Sequence, residues 1–368
     1  MKINILLPYK EKFDKNKASS VSITVRNNLL HSNYFNQIKI FGQNVETPIF
    51  KENFVGLKYS ILSLKSRNIF LAHEMLKIIT KDSDKKQLIE IHNRPYLIDL
   101  ITKGNKFPTS LFFHNDPQTM AGSKSIKDRE KILEKCVAIF CVSEFIKNKF
   151  LEGINKNMEK VHVLYNGVDR KLKRFPKKKK EVLFVGRLVS EKGVHLYVDI
   201  VKNIAQKFPD WKFNLIGSPR LGDNRVLGSF ASKVIKKFKN ISDQTHFHGF
   251  KSQDFVESKM QNASIIIIPS IWQEPFGLVA AEAMSNGVAV IASKVGGIPE
   301  ILKDNGILIE NINSKNFEKA LVELIENEEK RILLQKKSWK NFRFFSFCSS
   351  KKLDEFRQLI LKAYFECD

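Results

Sequence analysis

Cysteine is scarce: Cys136, Cys141, Cys348 and Cys367 are the only four in 368 residues, and no two form a C-x-x-C pair. That density excludes a disulfide scaffold and a cysteine-built zinc site, and a reducing cytoplasm is the expected compartment. Long apolar runs are missing as well. Ile265 to Pro269 is among the longest, far below the ~20 residues that cross a bilayer. Met1 leads directly into the strand-like stretch Lys2 to Pro8, without the charged head and apolar run of a secretory leader. There are no heptads, no repeat of solenoid length and no low-complexity tract beyond one lysine cluster. Acidic residues are few, 39 against 62 Lys and Arg, for a formal net charge of +23. An excess of that size points to anionic partners, either nucleic acid or an anionic membrane surface. With 43% hydrophobic residues the chain is too apolar to be disordered.

The length favours two domains. Strand-like segments at Ile3–Leu7, Gln37–Phe41, Leu88–His92, Thr109–Phe113, Val137–Val142 and Val161–Tyr165 alternate with amphipathic helical segments such as Arg67–Ile79 and Glu144–Leu151. This alternation predicts an α/β domain over 1–166, with a parallel sheet covered on both faces. Asn166-Gly167-Val168-Asp169 is turn chemistry, and seven of the ten residues Lys171 to Lys180 are basic. Residues 167–180 therefore read as a basic linker. The pattern restarts at Glu181 and predicts a second α/β domain over 181–345. Leu353, Phe356, Leu359, Ile360 and Tyr364 give the segment 346–368 the stripe of an amphipathic helix, which must dock.

Ligands of open parallel sheets bind beyond the carboxyl ends of the strands, so the residues after each strand carry the functional reading. The strand at Glu181–Val185 is followed by Arg187 and Lys192, a planar fork and a point charge suited to a diphosphate. The strand at Ser264–Pro269 is followed by Glu274-Pro275-Phe276-Gly277-Leu278 and a helix bearing Glu282. Backbone N–H groups at a helix start face anions, and two carboxylates so placed accept bonds from vicinal hydroxyls. Gly296-Gly297 follows the next strand and allows close backbone approach. In the first domain His92-Asn93 and His114-Asn115 end two strands. Each feature alone is also what an ordinary strand end or solvated helix shows. His246 and His248 share a strand face without further ligands, and Asp82-Ser83-Asp84 sits in a lysine-rich loop, so both read as structure and no metal site is expected.

Together these segments resemble the retaining glycosyltransferases of family 4, whose signature is two glutamates separated by seven residues, here EPFGLVAAE from Glu274 to Glu282. FVGRLVSEKG, GIPEIL and NGVD are similar to that family too, and FHNDPQTM and IHNRP resemble a bacterial branch acting in lipopolysaccharide or other surface-glycan assembly. The resemblance implies the GT-B fold: two facing Rossmann-like domains, a first acceptor domain, a second nucleotide-sugar domain, and a last helix crossing back to the first. It implies transfer of a sugar from a nucleotide diphosphate sugar to a hydroxyl of a glycan or lipid-linked saccharide, with retention and with no cofactor or metal. Arg187 and Lys192 would then bind the diphosphate, Glu274 and the amides of Phe276, Gly277 and Leu278 the donor sugar and phosphates, and Glu282 the ribose. His114 would stand beside the reacting carbon. The family's first loop carries a glycine pair near the phosphates; here Tyr9 to Ser20 contains no glycine. A nucleotide-sugar epimerase of the same build, which converts its donor without an acceptor, is the rival enzyme. A basic nucleic-acid binder is the rival class, but no recognition motif supports it. Peripheral attachment to the inner leaflet through the lysine cluster is the expected location.

Overall fold

Fully buried strands set the architecture. In Ala263–Ile268 and Ala289–Ser293 every residue is buried, as are all six of Gln87–His92, the pattern of central strands covered on both faces. A computed structural model describes residues 2–59, 64–104, 106–219 and 228–365; Cys367 lies outside them. The chain divides into two units, Met1–Gly167 with Ser346–Asp368, and Val168–Phe345.

The first unit contains β1 (Lys2–Leu6), α1 (Ser20–Leu30), β2 (Ile38–Gln43), β3 (Phe54–Leu57), α2 (Arg67–Thr80), β4 (Gln87–His92), α3 (Ile98–Thr102), β5 (Thr109–Phe113), α4 (Ile126–Lys135), β6 (Ala138–Cys141), α5 (Glu144–Leu151) and β7 (Val161–Val163). Its seven strands are parallel in the order β3-β2-β1-β4-β5-β6-β7. The second unit runs β8 (Lys179–Val185), α6 (Val194–Ile204), β9 (Lys212–Ile216), α7 (Ser229–Lys239), β10 (Thr245–Gly249), α8 (Gln253–Asn262), β11 (Ala263–Ile268), α9 (Leu278–Ser285), β12 (Ala289–Ser293), α10 (Ile298–Leu302), β13 (Ile307–Ile309), α11 (Ser314–Glu326) and α12 (Glu328–Asn341). Its six strands are parallel in the order β10-β9-β8-β11-β12-β13. The order reverses between β1 and β4 in one sheet and between β8 and β11 in the other. A crevice opens at such switch points, because the connections on either side leave toward opposite faces.

Helix α13 (Ser346–Phe365) returns to the first unit. Leu353 and Ile360 join the core built from Ile3, Ile5, Val25 and Phe112. Ser350 donates to the carbonyl of Asn28 at 2.7 Å and Ser349 to that of Tyr165 at 2.8 Å. The helix begins before the apolar stripe does, because Ser346, Ser349 and Ser350 are small enough to be buried.

The reading of 167–180 as a linker needs correction. Lys179 and Lys180 belong to β8, and the preceding residues pack on the second unit. Arg170 lies 3.9 Å from the Trp339 ring centroid and donates to the carbonyls of Ser285 and Trp339. Lys178 donates to the carbonyls of Met260, Gln261 and Asn286, and Lys171 pairs with Asp254 and Glu257. Asp82 and Asp84 do form a local turn: Asp82 accepts from the Asp84 amide at 3.0 Å and pairs with Lys2.

Candidate active site

Strands β8 and β11 flank the switch point of the second sheet, and the loops after them carry Arg187, Lys192 and Glu274. Gly193 brings these loops together. Its φ is +66°, and a Cβ there would come within 1.8 Å of the Pro269 carbonyl oxygen, so only glycine lets the turn lie on the end of β11. The carbonyl of Glu191 then accepts from the Ile271 amide at 2.8 Å. Lys192 Nζ thereby reaches Glu274 Oε1 at 2.5 Å and stands 5.6 Å from the Trp272 ring centroid. Ser270 Oγ donates to the same Glu274 oxygen at 2.5 Å.

Glu274 is buried, with 8% of its surface exposed. Among the described residues its Oε2 has no hydrogen-bond partner, which leaves one carboxylate oxygen for a ligand hydroxyl while the other is held by a cation and a hydroxyl. The loop is fixed from the far side by Gly296-Gly297. The Gly297 amide donates to the Glu274 carbonyl and the Gly296 amide to Gln273 Oε1, both at 2.8 Å. At Gly296, where φ is +55°, a Cβ would lie 2.0 Å from the Glu274 carbonyl oxygen. The glycine pair thus serves the glutamate loop directly.

Phe276 is buried and Gly277, at φ +99°, starts α9. The first amides of α9, from Leu278 on, have no intrahelical acceptor and form the positive end of the helix. Glu282 lies half-buried on α9. The exposed guanidinium of Arg187 is 3.9 Å from Glu191, a screened contact of little energetic weight. The structure therefore brings Lys192 and Glu274 into contact and turns Arg187 to Glu191 instead.

In the first unit His114 follows β5 and His92 ends β4. His92 Nδ1 and His114 Nε2 are 2.8 Å apart, and the His92 ring stacks between Phe112 and His114. Asn93, at φ +53°, accepts from the His114 amide through Oδ1 at 2.8 Å. Burial pushes the His114 imidazole down to about 4, and burial together with His114 and Arg357 holds His92 well below the usual histidine range. Both rings are therefore neutral near pH 7.

Glu11 is a residue that the sequence did not single out. It accepts from Ser19 Oγ in the glycine-free first loop. Burial raises its carboxyl above the usual range against the opposing pull of Ser19 and Arg94. In Lys10-Glu11-Lys12 it looks like one charge among many, and nothing in the pattern marks it.

Comparison with known proteins gives these loops a context. The profile of the family described as Glycosyl transferases group 1 matches residues 167–356. An uncharacterized glycosyltransferase of Methanocaldococcus jannaschii is 38% identical over 197 residues, 52% of this chain and 51% of that protein. The lipopolysaccharide 1,2-N-acetylglucosaminetransferase of Salmonella typhimurium is 28% identical over 172 residues, 44% of this chain and 45% of the relative. The matches thus span about half the length of these two relatives. Among solved structures, Anabaena HepE in complex with UDP-glucose superposes with a TM-score of 0.74 at 17% identity, over 98% of this chain and 100% of HepE, so the architecture of two parallel-sheet Rossmann-like domains is GT-B. With the profile covering more than half of its length, the chain belongs to the group 1 glycosyl transferases.

Proposed function

We propose that the protein moves a sugar from a nucleotide diphosphate sugar to a hydroxyl of a glycan or lipid-linked saccharide, with retention at the anomeric carbon, in assembly of lipopolysaccharide or another surface glycan. The observation that carries this reading is the Lys192–Glu274 contact at the switch point of the second unit, with Glu274 Oε2 open to a hydroxyl. The Salmonella relative and the UDP-glucose complex of HepE supply the substrate classes. Departure of the diphosphate develops negative charge. Lys192 and the amides at the start of α9 oppose it from fixed positions, an arrangement that stabilises the transition state more than the ground state, and the exposed Arg187 swings in from Glu191 to add a second positive charge. Lys192 keeps two N–H donors beyond the one given to Glu274. Glu274 holds hydroxyls of the donor sugar and Glu282 those of the ribose, while His114 stands beside the reacting carbon. None of these side chains is placed as a covalent nucleophile, so the acceptor attacks from the face the phosphate leaves, and the departing phosphate takes its proton.

The test is a panel of nucleotide sugars screened for thermal stabilisation, followed by release of nucleoside diphosphate with and without EDTA. A ligand at a hundred times its Kd adds about 2.7 kcal/mol to the folded state. At least one nucleotide sugar is expected to stabilise the protein, and turnover is expected to survive the chelator. A flat panel defeats the donor assignment. Loss with EDTA and rescue by magnesium or manganese replaces the side-chain mechanism with a metal-bridged one.

Attachment to an anionic inner leaflet belongs to the same proposal. No helix of the described residues is long and apolar enough to cross a membrane. Of the basic cluster, Lys171, Lys178 and Lys180 are engaged by Asp254, backbone carbonyls and Asp210, which leaves Lys173, Arg174, Lys177 and Lys179 exposed. Such residues contribute about 1 kcal/mol each near an anionic surface. Co-sedimentation with phosphatidylglycerol-containing liposomes is expected at low salt and is lost at high salt; no binding at low salt overturns the proposal.

A further inference from the structure

We propose that His92 is a positioning residue: it holds His114 as the neutral tautomer protonated on Nδ1, so that His114 offers its ligand a hydrogen-bond donor and not a base. This inference rests on the reading of His114 as a donor-sugar contact.

The argument starts from the 2.8 Å contact between His92 Nδ1 and His114 Nε2. Two neutral imidazoles share one proton across such a contact, so one nitrogen donates and the other accepts. The rest of the His92 ring decides which. His92 is 2% exposed, and its Nε2 is buried without a hydrogen-bond partner. If His114 donated, His92 would carry its own proton on Nε2, a buried N–H facing no acceptor. If His92 donates from Nδ1, its Nε2 is a bare lone pair. A buried N–H without an acceptor is the rarer and costlier defect, so His92 donates and His114 Nε2 accepts. The proton of the His114 ring must then sit on Nδ1.

That nitrogen is turned to no protein group. Among the described residues His114 bonds only through Nε2 to His92 and through its amide to Asn93. The ring plane is fixed as well, because His114 lies within 19° of the plane of His92, which itself stacks on Phe112 at 11°. A ring held at Nε2, at its backbone and on one face has a single free polar atom, and that atom is a donor. It suits a sugar hydroxyl or ring oxygen acting as acceptor. It cannot take a proton from an attacking hydroxyl, because the lone pair of Nε2 is already used.

The test is nitrogen NMR on the full chain with isotopically labelled histidine at pH 7.5, with His114→Gln to assign the resonance. His114 is expected to show a protonated, pyrrole-type Nδ1 and a pyridine-type Nε2. In His92→Phe, which keeps the volume and the stacking, the signal should become a mixture of tautomers. His92→Asn, whose amide N–H replaces the lost donor, should restore the single form. Donor turnover is expected to fall about fivefold or more in His92→Phe and to recover in part in His92→Asn, with no further loss when His92→Phe is added to His114→Gln. A protonated Nε2 in the unaltered protein, or an unchanged tautomer in His92→Phe, overturns the proposal. Full turnover in His114→Gln instead removes the functional reading of His114, whatever tautomer the spectrum shows.

Discussion

Glu274→Ala is expected to lower turnover of the donor by on the order of a hundredfold, the range seen when one preorganised polar contact to a reacting group is lost. The mutation removes the carboxylate whose Oε2 receives the donor sugar in the proposed reading, and it releases Lys192 from its 2.5 Å contact. A freed ammonium binds the ground-state diphosphate more tightly. The donor KM should therefore stay level or fall while kcat drops, the signature of binding energy moved from transition state to ground state. Lys192→Ala should act differently. It too lowers turnover by at least about tenfold through weaker charge stabilisation, but it raises KM and leaves the buried Glu274 carboxylate with only Ser270 as partner. Its melting temperature should therefore fall further than that of Glu274→Ala, where the orphaned Lys192 side chain, 21% exposed, can reach water. Steady-state release of nucleoside diphosphate and thermal melts on both variants decide the matter. Near-normal turnover in both would remove this loop pair from the chemistry.

The difference between these residues and those the sequence concealed is one of range. Glu274, Gly277 and Glu282 lie on one short segment, Gly296 and Gly297 stand just after a strand and Gly193 just before a helix, so the backbone demands at these positions leave a local trace. Six of the seven strands of the first sheet were legible for the same reason, and Thr109–Phe113 and Glu144–Leu151 fall where the pattern places them; the edge strand β3 (Phe54–Leu57), which follows β2 with no helix between, was not. Lys178 shows the opposite case. Its three acceptors come from Met260, Gln261 and Asn286, more than eighty positions away. In a lysine run such a residue is indistinguishable from a solvated one, which is why the segment read as a linker. Helix α7 does carry an apolar stripe, Ala231, Val234, Ile235 and Phe238, but the lysines between these positions hide it from a reading by composition. The His92–His114 contact joins the ends of two adjacent strands. The sequence shows both histidines and says nothing of the distance between their rings.

The largest loss of stability is expected from breaking the ion pair under α13. Arg357, 2% exposed, donates from Nε and Nη2 to the two oxygens of Glu90 at 2.7 and 2.8 Å, and from Nη1 to Asp354 at 3.0 Å. Asp354 also accepts from Ser32 Oγ at 2.8 Å and the Asn33 amide at 2.6 Å. Burial pulls the guanidinium toward neutrality, but Glu90 and Asp354 outweigh it and hold the group charged. Removing one partner leaves the other buried without its main counter-charge. Arg357→Leu and Glu90→Leu are each expected to destabilise the first unit by about 3–5 kcal/mol. The double variant should cost less than Arg357→Leu alone, because it also removes the buried Glu90 charge and leaves only Asp354, which keeps its bonds from Ser32 and the Asn33 amide. Glu90 and His92 are two residues apart on β4 and so lie on the same face of the sheet, which makes α13 the clamp on the strand that ends in the histidine pair. Urea titration followed by circular dichroism reads the effect as an earlier transition of the first unit. A double variant at least as unstable as the worse single one would mean that the site is held by packing of Leu353 and Ile360 and not by charge.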